Sequence, residues 1–156
     1  RIEHAVVYDP LRDEAFVASR GRGAMLNDRR IRVSKRQNLN HALLATGFPF
    51  KEGQMDQIDN YLGMFKSLAG QTSGIRRAGA ASLDLAYVAA GRYDGFWEFG
   101  LAEHDIAAGA LLIQEAGGLI SDFKGGHQFL ENGQVVAGNP KCFKGILTSI
   151  QLHLAD

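Results

Sequence analysis

Residues 94–122, DGFWEFGLAEHDIAAGALLIQEAGGLISD, constrain this chain more than any other stretch. They read as strand, turn, helix, tight cap and strand. Asp94-Gly95 is a turn signal, and Phe96, Trp97 and Phe99 suit an extended strand that Gly100 breaks. Asp105 stands where a helix N-cap belongs, ahead of an apolar run. Gly117-Gly118 makes a strong C-cap, because glycine takes positive φ at little cost. Between the caps, Ile106, Ala107, Ala108, Ala110, Leu111, Leu112, Ile113 and Ala116 cover most of the helix surface, which predicts burial on more than one side. Two acids, Glu98 and Asp105, therefore fall at the end of one strand and the start of the next helix. In an open α/β sheet that edge is where ligands bind. Each acid alone has a plainer reading: Asp105 as a cap that satisfies backbone N–H groups, Glu98 as a solvated strand end. Together at one junction they add a cation or polyol site, and from the residues alone all three readings stay open.

The rest of the chain fills in around that junction. Residues 3–33 read as an antiparallel meander with strands at 4–8, 14–19 and 30–33, turning at Asp9-Pro10, Arg12-Asp13 and Gly21-Arg22-Gly23. A short buried strand at 43–48 runs into a Gly-Phe-Pro loop. The spacing of Ile58, Leu62, Phe65 and Leu68 predicts a helix over 54–68 with that stripe in the core. A strand at 75–77 leads through the tight bend Gly79-Ala80-Ala81 into a helix that buries Leu83, Leu85, Ala86, Val88 and Ala89 and stops at Gly91. Small residues at such a bend either let a backbone approach a ligand with free N–H groups or let helix pack closely on sheet. Strands at 119–123 and 135–137 flank a turn at Gly125-Gly126-His127. Asn139-Pro140 opens a closing helix over 141–154 on Phe143, Ile146, Leu147 and Ile150. Alternating strands and helices from residue 42 onward indicate an α/β fold, with α+β character at the start. The expected division is 1–38, the end of an N-terminal antiparallel sheet region, and 39–156, a C-terminal α/β domain. The chain opens on Arg1-Ile2-Glu3 straight into a strand pattern. That reads as a start in mid-sheet, with covering helices expected upstream.

Composition excludes several functions. Arg20, Arg22, Arg29, Arg30, Arg32, Lys35 and Arg36 form a basic cluster, but 17 basic and 17 acidic residues leave no net charge. We read the cluster as a solvated sheet face, with no direct nucleic-acid binding indicated. No apolar run approaches membrane-spanning length. Cys142 is the one cysteine, so there is neither an intrachain disulfide nor a cysteine zinc site, and a reducing cytoplasm is the expected location. The histidines are scattered, with no Ser-His-Asp or paired-His spacing.

Several of these runs resemble the inositol monophosphatase family. His104-Asp105-Ile106-Ala107-Ala108-Gly109 is similar to its Trp-Asp-x-Ala-Ala-Gly helix start, with His104 in place of the Trp, and Glu115-Ala116-Gly117-Gly118 also matches. Residues 21–27 resemble its Gly-x-Gly-Ala-x-x-Asn turn, and residues 76–85 its Arg-x-x-Gly-x-Ala-Ala-Leu-Asp segment. The resemblance runs from Val6-Val7-Tyr8-Asp9-Pro10 to the closing helix and is nearest the bacterial SuhB-type branch. It implies a layered sugar-phosphatase-type fold and Mg²⁺-dependent hydrolysis of inositol monophosphate or related sugar-alcohol phosphate monoesters, a metal-activated water attacking in line. It assigns Arg76, Gly79, Ala81 and Glu98 to the substrate side and Asp105 to the metal, with no catalytic residue in this chain. Arg76 has a second reading, as a subunit contact. The family's other metal ligands sit in a Glu-Glu motif and an Asp-Pro-x-Asp-Gly-Thr motif, and this chain contains neither. The resemblance therefore implies the C-terminal part of a phosphatase, inactive alone. It also implies a homodimer and a protein partner in the transcription machinery, so a non-catalytic regulatory module is the alternative. A bisphosphorylated sugar or nucleotide substrate is a third reading.

Overall fold

The computed structural model describes residues 1–48 and 51–154. Strands β1 (His4–Asp9), β2 (Glu14–Ser19), β3 (Gly23–Leu26) and β4 (Arg29–Ile31) form an antiparallel sheet in chain order. Alternation sets its inner face: Ala5, Val7 and Asp9 point inward while Val6 and Tyr8 face out. The meander has one strand more than the sequence predicts. Residues 23–26 pair with β2, Met25 opposite Val17, instead of belonging to a turn. The next turn is Asn27-Asp28, both at positive φ (46° and 63°), the backbone that suits a two-residue hairpin. The Asn27 side chain secures it, accepting from Ala15 N at 2.8 Å and donating to Asp13 O at 2.9 Å.

The second sheet holds β5 (Leu43–Thr46), β6 (Gly74–Arg76), β7 (Gly95–Glu98), β8 (Leu119–Ser121) and β9 (Val135–Gly138), in the order β6-β5-β7-β9-β8. Strands β5, β6 and β7 are parallel, and β9 runs antiparallel to β7 and β8. Residue 49, expected in the Gly-Phe-Pro loop, lies outside the described residues.

Helices α1 (Ile58–Ala69), α2 (Ala81–Ala89), α3 (Glu103–Glu115), α4 (Phe129–Asn132) and α5 (Pro140–Gln151) complete the fold. The two sheets enclose α2 and α3, while α1 and α5 cover the far face of the second sheet. The all-round apolar surface of α3 is explained by that position. Gly109 lets α2 approach, since a Cβ there would fall 2.5 Å from Leu85 Cβ. Asn139 caps α5, its side chain accepting from Lys141 N at 3.0 Å and Cys142 N at 2.9 Å, with Pro140 in the first turn.

Two expectations need correction here. The helix begins at Ile58, after a 3₁₀ turn at Met55–Gln57, and its buried stripe is Tyr61, Met64 and Leu68. Leu62 and Phe65 are 48% and 38% exposed. Both stripes have helical spacing. Tyr61 decides between them, stacking on Trp97 with ring centroids 6.3 Å apart and placing its hydroxyl 3.3 Å from Thr46 Oγ1. Secondly, α3 starts two residues before Asp105, which is its third residue and not the N-cap.

Candidate functional site

Parallel strands bring their carboxyl ends to one edge, and a cavity of about 280 Å³ opens there. Thr46 ends β5 and Gly47 follows it, Arg77 and residues 79–82 follow β6, and Glu98 ends β7; Lys51, Asp84, Leu101 and Asp105 complete the wall. Four of the five residues singled out from the sequence meet here: Gly79, Ala81, Glu98 and Asp105. Arg76 does not. It is exposed on the edge strand β6 and donates to its neighbour Ile75 O at 3.5 Å, while Arg77 lines the cavity. Adjacent side chains on an extended segment point to opposite sides, so only one of the two arginines can face the cavity.

Glu98 is positioned by what its neighbours lack. A Cβ on Gly47 would lie 1.8 Å from Glu98 Oε1, so its carboxyl group occupies space that only glycine leaves open. Thr46 anchors the same floor, donating to Trp97 O at 2.9 Å and tying the end of β5 to β7. Burial pushes the Glu98 carboxyl up to about 7, assisted by the negative charges of Asp84 and Asp105 and opposed by Arg77 and Lys51. Asp84, 2% exposed, is also pushed up to about 7 by burial, with Arg77 opposing.

Gly79 carries the bend at φ +94°, a conformation that favours glycine, and Arg77 Nη1 would lie 3.0 Å from a Cβ added there. The backbone then enters α2 with Ala80 extended at the N-cap, a residue with no side-chain acceptor for the first N–H groups. On the opposite wall, Asp105 Oδ2 accepts from Ala102 N at 2.9 Å, and Asp105 N donates to Ala102 O at 3.0 Å. This is the acidic half of a capping box, Ala102 having no side-chain acceptor to supply the other half. The second oxygen, Oδ1, lies 3.7 Å from Nε2 of the exposed His104. One carboxylate oxygen is thus spent on the helix, while the residue as a whole lines the cavity.

The described residues do not build a magnesium site by themselves. No group of three His, Cys, Asp or Glu able to hold a metal ion occurs among them. Asp105 offers one oxygen, and Glu98 and Asp84 sit in surroundings that disfavour their charged forms, whereas Mg²⁺ requires near-octahedral oxygen ligation. Sequence reasoning missed Gly47, Arg77 and Asp84. Asp84 had a signal, an acid inside the apolar run of α2. Gly47 had none, since its role depends on Glu98 lying across from it.

The sequence profile of the inositol monophosphatase family matches residues 1–154. The chain is 73% identical over 154 residues to the Nus factor SuhB of Pseudomonas aeruginosa, covering 99% of this chain and 57% of that protein. Among solved structures, the extragenic suppressor protein suhB of Bartonella henselae superposes with a TM-score of 0.92 at 44% identity, over 97% of this chain and 57% of that one. An inositol monophosphatase from Anabaena (Nostoc) gives 0.85 at 37% identity, over 94% and 60%. The chain thus spans a little under three fifths of the length of the relatives it matches. With the site's strand, bend and helix start falling on the family's motifs, the chain belongs to the inositol monophosphatase family.

Proposed function

We propose that this chain is the substrate-side part of a Mg²⁺-dependent phosphatase that hydrolyses inositol monophosphate or a related sugar-alcohol phosphate monoester. One observation carries the reading: the cavity gathers Glu98, Asp105 and the Gly79–Ala81 bend around one space of small-ligand size. In this reading Glu98 accepts hydrogen bonds from ring hydroxyls, and the backbone at Gly79 and Ala81 borders the substrate. Asp105 supplies one oxygen to a metal whose remaining ligands come from outside this chain. When bound, the metal would activate the attacking water and stabilise the leaving oxygen. The residues of this chain bind and orient the alcohol side. They lack the ligands for turnover, so the 156 residues alone are expected to be inactive. A cytoplasmic setting and a division at 38/39 belong to the same proposal. Among the described residues, no helix is long and apolar enough to cross a membrane.

The test is phosphate release from inositol 1-phosphate by the full-length protein with and without Mg²⁺, for the wild type and Asp105→Asn. Asparagine keeps an acceptor for Ala102 N, so stability should change by less than about 1 kcal/mol. Loss of the charge should lower turnover by on the order of a hundredfold. Undiminished turnover in the variant at ordinary Mg²⁺ would remove Asp105 from the metal.

The name Nus factor, carried by the Pseudomonas relative, favours a second reading, a module that acts by binding a protein of the transcription machinery. The two readings part at Asp105→Asn, which should spare such binding while lowering hydrolysis by on the order of a hundredfold.

A further inference from the structure

Helix α2 is built from small and apolar residues, with Leu85, Ala86, Val88 and Ala89 buried, yet its fourth residue is an acid. Asp84 is 2% exposed and lines the cavity, and among the described residues no donor to its carboxyl group is seen. Buried carboxyl groups are normally hydrogen-bonded or ion-paired, because burial without partners costs more than an apolar or amide side chain of similar size. The positive charge of Arg77, which lines the same cavity, opposes the upward push that burial gives the Asp84 carboxyl. Asp84 lines the same cavity as Glu98, a few residues along α2 from the Gly79 bend.

We propose that Asp84 is a substrate-positioning residue that takes a hydroxyl group of a polyol ligand, alongside Glu98. The proposal rests on the polyol-phosphate reading of this cavity and adds a residue that reading does not contain. Two carboxyl groups facing one small cavity fit a ligand with more than one hydroxyl, each hydroxyl being both donor and acceptor. Burial, together with the charge of Asp84 on Glu98, keeps part of the pair protonated near neutral pH. That suits neutral hydroxyls better than a metal ion, and it separates Asp84 and Glu98 from Asp105 in role.

The full-length protein tests this through Asp84→Ala and Asp84→Asn. For each we would measure kcat/KM with inositol 1-phosphate and with p-nitrophenyl phosphate, a monoester without ring hydroxyls, and calorimetric binding of free inositol. The ratio of the two kcat/KM values should fall at least tenfold in the alanine variant and by less in the asparagine variant, with inositol binding weakening in step. An unchanged ratio in either variant, with folding intact by thermal melting, would overturn the proposal and leave the phosphatase reading standing. If the alanine variant does not fold, a threefold fall in the asparagine variant is the expected result. If the wild type hydrolyses no monoester, the phosphatase reading fails. Inositol binding then decides: weakening in the variants upholds the role of Asp84, and equal or absent binding overturns it.

Discussion

Glu98 can occupy its place because residue 47 has no side chain. Alanine there would put a Cβ 1.8 Å from Glu98 Oε1, the free end of a side chain, whereas the backbone at this point is tied by the Thr46 hydroxyl to Trp97 O. Gly47→Ala in the full-length protein should therefore displace the carboxyl group and not the strand. A displacement of about 1 Å at a positioning group costs roughly a hundredfold in rate, so turnover of inositol phosphate should fall on that scale while the melting temperature moves little. Steady-state kinetics beside thermal melting would check it. Asp84 and Glu98 also make a prediction about pH. Both have folded-state values near 7, above the unfolded carboxylate range near 4. Below about pH 4 both states hold these protons and the groups contribute nothing. Between about 4 and 7 the unfolded chain releases protons that the folded one retains, so stability falls as pH rises, by up to about 1.4 kcal/mol per pH unit for each group. Above 7 the penalty is constant. Denaturant unfolding of wild type and Asp84→Asn across this window should show the variant losing less stability; parallel curves would mean that Asp84 titrates normally.

Among the elements, α3 does the joining. At its N-terminus Asp105 faces the cavity, and along its length it packs on α2 and on the first sheet. Near its C-terminus Glu115 accepts from Gly21 N and Gly23 N, each at 2.8 Å, and these bonds hold its carboxyl below the usual range. The family-like runs at residues 21–27 and 115–118 thus meet in space, one clamping the other. Approach of α2 depends on Gly109, where a Cβ would lie 2.5 Å from Leu85 Cβ and 2.6 Å from its Cδ1. Gly109→Ala is expected to destabilise the protein by about 1–3 kcal/mol through overpacking, despite the better helix propensity of alanine. A midpoint in urea equal to or above that of the wild type would show that the helices can shift apart without cost.

For the whole molecule, the layering gives residues 1–38 and the rest a shared core. Ala5, Phe16 and Ala24 of the first sheet belong to one cluster with Ala45, Leu85, Phe96 and Leu111. The proposed division at 38/39 is therefore one of topology, with the helices common to both sides. The outside carries the association question. Arg76 is exposed on β6, an edge of the second sheet, and Leu62 and Phe65 are partly exposed on α1. If the full-length protein is the homodimer that the family resemblance implies, Arg76→Ala should shift it toward monomer in sedimentation while changing KM by less than about twofold, far short of a lost charged substrate contact. A raised KM with an intact dimer would return Arg76 to the substrate.

The sequence alone determined what depends on neighbours along the chain. Turn residues, caps and apolar spacing define nearly every strand and helix, and the Glu98–Asp105 junction was legible because a strand end and a helix start are local events. The family motifs were legible for the same reason. What only tertiary structure decided depends on residues far apart in sequence. Arg76 and Arg77 are interchangeable to local reasoning, and the packing of β6 turns the second toward the cavity. Two stripes on α1 have helical spacing, and Trp97, thirty-six positions beyond Tyr61, selects which is buried. The hairpin at Asn27-Asp28 is read correctly only once β3 is paired with β2. Asp84 is simply an acid in a helix until α2 is enclosed between two sheets. Burial beside the cavity is a property of that enclosure, and it makes the residue a candidate for binding.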